Sequence, residues 1–328
     1  MAAKAVKTGA DQKKIRLRNQ IIVIGIIVAI YVIANFLTGG KVFRPNNIRT
    51  ILTQVTYPLM VGLGLMFIFT TGMIDLSVGA QVILAANVGA IAVQIYGLGY
   101  PGLIIGTVVT LVITELLCTS CSLFLKIPSW VAGLGCALVF EALGMILVGA
   151  YSETLGTSIV YLEKCDGFGS FLVIFIIAVV VAVIAYFIFN RTQFGYNLRA
   201  IGGGGEVAEA MGINRKKTII MAAIIGAVII AIGGITQLSY TGRFTPTSGM
   251  GSLSGIFKSL AVVLISGSFS RIFNDVIGCV VGAFIVAGLF NVLTLLGVPS
   301  GTGQDICLGV VVMLCGILSA LHYKGVQK

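Results

Sequence analysis

Phe171–Asn190, FLVIFIIAVVVAVIAYFIFN, carries no charge over 20 residues. Arg191–Lys217, RTQFGYNLRAIGGGGEVAEAMGINRKK, then sets five basic residues against two acidic ones, and Thr218–Gly242 is again uncharged. Twenty apolar residues in an α-helix reach about 30 Å, the thickness of a bilayer's hydrocarbon core. Span, basic loop and span together predict a polytopic, all-α membrane protein.

Working outward, the rest of the chain agrees. Hydrophobic residues make up 58% of the 328 and charged residues 10%, with a mean hydropathy of +1.08. A soluble domain needs far more charge than this to cover its surface. The net charge of +10 could suit nucleic acid, but the charges sit in the turns between apolar spans, where they read as the positive-inside signature of a cytoplasmic face. No nucleic-acid partner is expected; the bilayer is.

Ten spans follow, with both termini on the cytoplasmic side. Residues 1–20 form a basic cytoplasmic N-terminus, 21–322 a single transmembrane domain containing the loop 191–217, and 323–328 a cytoplasmic tail. The spans are Ile21–Leu37, Ile51–Thr70, Leu76–Tyr96, Leu103–Leu123, Trp130–Ala150, Phe171–Phe189, Thr218–Tyr240, Leu253–Ser270, Val276–Leu296 and Asp305–Leu321. This arrangement puts 15 of the 21 basic residues inside. Leu253–Ser270 is short and contains Lys258, so it reads either as a full span or as a re-entrant segment. The pairs Gly102/Gly106 and Gly278/Gly282 have the GxxxG spacing that lets two helix backbones approach.

No catalytic constellation is present. His322 is the only histidine, which excludes histidine metal clusters and Ser-His-Asp sites. Cys118 and Cys121 make a CxxC, but no second pair completes a zinc site, so no metal is expected. Gly202–Gly205 is followed by no GK[ST], so it is not a nucleotide-binding P-loop and the chain has no evident way to use ATP itself.

Ionisable groups inside spans are few. They are expensive in lipid and face a bundle interior or a water-filled path. Glu141, near the middle of its span, reads as a transport-path residue or as a structural hydrogen-bonding group; Glu115, beside Thr114 and Thr119, leans to structure. Asp75 with Ser77 has the chemistry to cap a helix beginning at Leu76, or to take part in a gate. Trp130 reads as an interfacial anchor or a ring on which a ligand stacks. In the polar loop, a short helix opens at Gly202–Gly205 and closes at Gly212, with Glu206 at the end where negative charge is favoured. A plain connector does not require a capped helix between flexible glycines; a segment docking rigidly into another protein benefits from one.

Thr71–Ala80, TGMIDLSVGA, resembles the Gly-Gly-Ile-Asp-Leu-Ser-Val-Gly signature of the permease subunits of ribose-type carbohydrate importers in the ABC transporter superfamily. Ile127–Gly135 is similar to that family's Pro-x-Phe-Ile-Ala-Thr-Leu-Gly. Gly202, Gly203, Glu206, Ala208, Gly212 and Ile213 fit its cytoplasmic Gly-Gly-Asn-x-Glu-Ala-Ala-Arg-x-x-Gly-Ile, and the likeness continues through Leu295–Val298.

The resemblance implies an ABC importer permease fold in the cell membrane of a prokaryote-type cell. It implies a second permease copy or paralogue, a cytoplasmic ATPase carrying the ATP and magnesium, and an extracytoplasmic sugar-binding protein. By the same resemblance Gly204–Gly212 is the coupling helix, seated in a groove of the ATPase, and the solute is a ribose-like monosaccharide moved by alternating access. Nucleosides, branched-chain amino acids, or an ion-coupled mechanism through Glu115 or Glu141 are the alternatives. The chain departs from the pattern at Gly204 (Asn in the family), at Glu209 (Arg), across Ile265–Asn274, and at Glu141, where an Arg-Gly is expected.

Overall fold

The computed structural model describes residues 9–324 apart from 271 and 300; the ends of the expected basic N-terminus and of the tail, 1–8 and 325–328, lie outside the described residues. Helices follow one another almost without interruption. They are α1 (Gly9–Leu37), α2 (Pro45–Thr70), α3 (Val78–Gln94), α4 (Gly99–Leu125), α5 (Ser129–Ala150), α6 (Ser152–Leu155) and α7 (Phe171–Arg191). Then come α8 (Gln193–Gly203), α9 (Gly205–Ala210), α10 (Arg215–Thr241), α11 (Leu253–Ser268), α12 (Asp275–Leu295) and α13 (Thr302–Lys324). Seven are long and apolar enough to cross a membrane: α1, from Lys14, with α2, α4, α5, α7, α10 and α12. Among the described residues the only β pairing is an isolated bridge between Tyr161 and Arg243.

Local chemistry sets the boundaries. Pro45, whose ring fixes the helical φ and whose missing N–H would have no partner there, begins α2. The side-chain oxygens of Thr192, Asn214 and Asn274 accept from Gly195 N, Lys217 N and Val276 N at 3.1, 3.0 and 3.2 Å, capping α8, α10 and α12. Gly242 ends α10 in the left-handed region at φ 74°.

The bundle has two polar ends. One, the loop end, gathers α8 and α9 with Thr71–Asp75, Lys126, and the Phe269–Asn274 turn, whose Ile272 carbonyl accepts from Arg16 and Gln20. The far end gathers Asn47 bonded to Asn291, Tyr96 to Tyr151, and Arg243 to Tyr161. Between them α2 is the most enclosed of the seven long helices, its small residues letting α10 and α11 close on it. A methyl at Gly62 would meet Val262 at 2.9 Å, and one at Gly64 would meet the Gly226 carbonyl at 2.7 Å. The glycine pairs lie at such contacts too: Gly106 faces the Gly89 backbone of α3, and Gly278 and Gly282 face Ser266 and the Val262 carbonyl of α11. By contrast α1 and α7 leave most of their apolar surface uncovered.

Two helices are broken. The expected span Leu76–Tyr96 is helical only from Val78, because Thr71–Ser77 runs in without helical structure. The expected span Leu253–Ser270 is longer than it looks in sequence: Arg243 starts at the far end, 243–252 descends without a helix, and α11 continues to the loop end. At 16 residues α11 covers only about 24 Å by its rise per residue. The segment thus runs from one end to the other, helical over its second half. The beginnings of α3 and α11 meet inside the bundle, where Gly79 lies against the Ser252 carbonyl and Ile256.

Candidate functional site

Asp75 is enclosed where α3 begins. Its Oδ1 accepts from Ser77 N and Ser77 Oγ, both at 2.7 Å, and from Cys118 Sγ at 3.4 Å. Its Oδ2 accepts from Gln81 Nε2 at 2.9 Å. Gln81 also lies 2.7 Å from Ser77 Oγ and 3.1 Å from Glu115 Oε2, while Thr119 donates to Glu115 Oε1 at 3.0 Å. Every one of these side chains is buried. The acid is therefore held by neutral donors, and α3 is tied to α4 by amide and hydroxyl groups. Asp75 does act at the beginning of a helix, but that helix starts at Val78, not Leu76, since Asp75 itself engages the Ser77 N–H. From below, Ser129 Oγ accepts from Ile74 N at 2.9 Å, and Gly133 presses on the Leu76 backbone, where a side chain would collide.

Glu141 is equally buried, halfway along α5, but serves another segment. Its Oε2 accepts from Met250 N at 2.8 Å and its Oε1 from Ser252 N at 2.7 Å. A carboxylate from one helix thus satisfies backbone donors just before α11, the kind of group that a lipid-buried, non-helical stretch must place somewhere. Asp75 and Ser77 come together, and Glu141 sits across the Gly79–Ser252 contact. Trp130 stands apart, exposed on α5. The residues that sequence reasoning passed over are Gln81 and Ser252; Gln81, an uncharged amide in an apolar span, was the visible signal.

At the loop end the four glycines do not open one helix. Gly202 and Gly203 finish α8, Gly204 links, and Gly205 begins α9, so the run is a joint between two helices. Gly202 rests on the Thr70 carbonyl at the end of α2. Ala208 turns inward and is buried, with Ile213 N bonded to its carbonyl at 3.0 Å, while Gly212 at φ 86° makes the turn. Glu206, Val207, Glu209 and Met211 face out. A cavity of about 350 Å³ lies beside α9, and Glu209 and Arg215 share its wall with Met73 and Ser129. The segment leading to Asp75 and the outward-facing short helix therefore border one space.

Residues 47–318 match the family described as "Branched-chain amino acid transport system / permease component". The chain belongs to that family. This permease is 27% identical to the galactose/methyl galactoside import permease protein MglC of Haemophilus influenzae, over 84% of this chain and 87% of that one. It is 25% identical to the xylose transport system permease protein XylH of the same organism, over 85% and 90%. It is 27% identical to the ribose import permease protein RbsC of Escherichia coli K12, over 83% and 85%. With its apolar helices, the permease is a multi-pass membrane protein.

Proposed function

We propose that this permease is the membrane-spanning subunit of an ATP-driven importer that moves a monosaccharide across the inner cell membrane. In this reading ATP and magnesium belong to a separate cytoplasmic ATPase. A second permease copy or paralogue completes the channel, and an extracytoplasmic binding protein brings the sugar. Galactose, xylose and ribose in the names of the relatives support the solute class.

The observation that carries the coupling is the cavity between α9 and the Asp75 segment. Val207 and Met211 give α9 an exposed apolar face beside Glu206 and Glu209, suited to a groove in a partner. Closure of an ATPase pair that pulled on α9 would reach Met73, Ser129 and the beginning of α3 through the walls of that cavity. Gly202, Gly203, Glu206, Ala208, Gly212 and Ile213 are in this reading the coupling segment, and alternating access follows from its movement.

The test is uptake of labelled galactose, ribose or xylose by cells holding the complete system. Inactivating the ATPase should abolish uptake, and Glu206→Arg or removal of Glu206–Met211 should do so with the permease still inserted. Uptake that ignores the ATPase but collapses with an ionophore would point instead to ion coupling through Glu115 or Glu141. The family's description favours one second reading, a branched-chain amino acid as the solute. Competition by leucine or valine, and not by sugars, would establish it.

A further inference from the structure

A cavity of about 210 Å³ with both polar and apolar walls lies within this single chain, between α2, α10, α11, α12 and α13, and neither Asp75 nor Glu141 lines it. The side chains of Gln54, Tyr57, Gln237 and Lys258 all line it. None of these four side chains makes a hydrogen bond to another described residue; Tyr57 and Gln237 are half-buried, and Gln54 and Lys258 are exposed. Pro58 also lines the cavity and has no N–H, so the Gln54 carbonyl one turn earlier loses its helical donor. Lys258 is held over the ring of Phe290, its Nζ 4.0 Å from the centroid, and the charge of Asp305 at the start of α13 reaches it. Unpaired donors and acceptors converging on one space are what a bound polar molecule would satisfy.

We propose that this cavity is a solute station, and that it takes a neutral polyol the size of a monosaccharide. The proposal rests on the sugar-import reading and gives that reading a site. Amides offer a donor and an acceptor side by side, which matches vicinal hydroxyls, and the Tyr57 hydroxyl and Lys258 ammonium add further donors. Val286, Ala287 and Phe290 provide an apolar wall for the C–H groups of a sugar ring. The volume equals that of about seven waters in the liquid, room for a small polyol in their place. The lining carries one charged group, Lys258, and the charge of Asp305 acts on it from outside the lining. Among its lining residues there is no carboxylate to receive an amino acid's ammonium. Access comes from the far end, because Thr53 and Tyr240 line both this cavity and an adjoining one beside Asn46 and Arg49.

The experiment uses the complete transporter in cells, with galactose, ribose and xylose as probes. Gln237→Ala and Lys258→Gln should each lower uptake efficiency about tenfold, mainly through a higher KM, as loss of one or two hydrogen bonds implies. In a variant whose native cysteines are serines, Thr53→Cys should react with a membrane-impermeant methanethiosulfonate applied outside, and the transported sugar should slow that reaction severalfold. Unchanged kinetics in both cavity variants, or labelling that sugar does not slow, would overturn the station while leaving sugar import standing. Stronger competition by a sugar acid than by the neutral sugar would overturn the neutral class. A wild-type chain that imports no monosaccharide would remove both the import reading and the polyol assignment.

Discussion

At the start of α3 the carboxylate lies three residues upstream in the same segment and collects mostly side-chain donors. At the start of α11 the carboxylate comes from α5, 109 positions before Met250, and collects backbone N–H groups. Ser77 and Ser252, just ahead of the two helices, are both buried, so their N–H groups need partners within the protein. One is closed by local chemistry and the other by tertiary packing. A locally closed helix end keeps its cap when neighbours shift; α11 is capped only while α5 stays in register beside it.

Glu141→Ala sharpens that difference most. It leaves the Met250 and Ser252 N–H groups without partners, and losing two hydrogen bonds to a charged acceptor costs about 3–5 kcal/mol. Thermal unfolding of the detergent-solubilised permease should show a correspondingly large drop, with Glu141→Gln recovering part of it. A near-normal midpoint for Glu141→Ala would mean that 243–252 does not depend on α5.

Asp75→Asn should have a smaller effect. One amide oxygen can still serve Ser77, but the new NH₂ faces the Gln81 NH₂, and a mismatched buried donor costs about 1–3 kcal/mol. Because the helix end remains closed, the loss should be about half that of Glu141→Ala in the same melt; equal losses would erase the contrast between the two ends.

Gly79→Ala probes the place where the two regions touch. Its added methyl would press on the Ser252 carbonyl and Ile256, an overpacking of about 1–3 kcal/mol that the backbone has little room to relieve. Combined with Glu141→Gln, it should lose less than the sum of the two, since the second change loosens the wall that the first strikes. Strict additivity would place the ends of α3 and α11 in separate units.

The smallest stability effect belongs to the loop end. Glu206→Arg changes an exposed side chain, so its melting point should move by less than about 0.5 kcal/mol while uptake is lost. A large thermal shift with normal uptake would make the loop structural.

What the sequence disclosed follows this division. Apolar runs fix the long helices, and the charges between them mark the two ends, so the all-α membrane fold was legible. So was the Asp75–Ser77 pairing, because its partners are neighbours in the chain. The first turn of α3 was misread by two residues, since nothing local says that Asp75 engages the Ser77 N–H before the helix starts. Glu141 could be seen as an anomaly but not assigned, because its acceptors pair with a segment beyond α10. The glycine run was read as the opening of one helix; that it joins two depends on Gln193–Gly203 being helical, which Gly195 fitting against Phe189 makes possible.

The meeting of α3 with α11 has a mechanical consequence. Among the described residues no hydrogen bond joins α3 to residues 250–259, and Gly79 touches Ser252 and Ile256 by van der Waals contact alone. Asp75 ahead of α3 is held by Ser77 and Gln81, and the Met250 and Ser252 N–H groups by Glu141, while the buried Ser252 hydroxyl has no partner. The boundary is therefore a slip plane: two surfaces can slide along it without exposing a donor or breaking a bond, with a glycine as the smooth spot where they bear on each other.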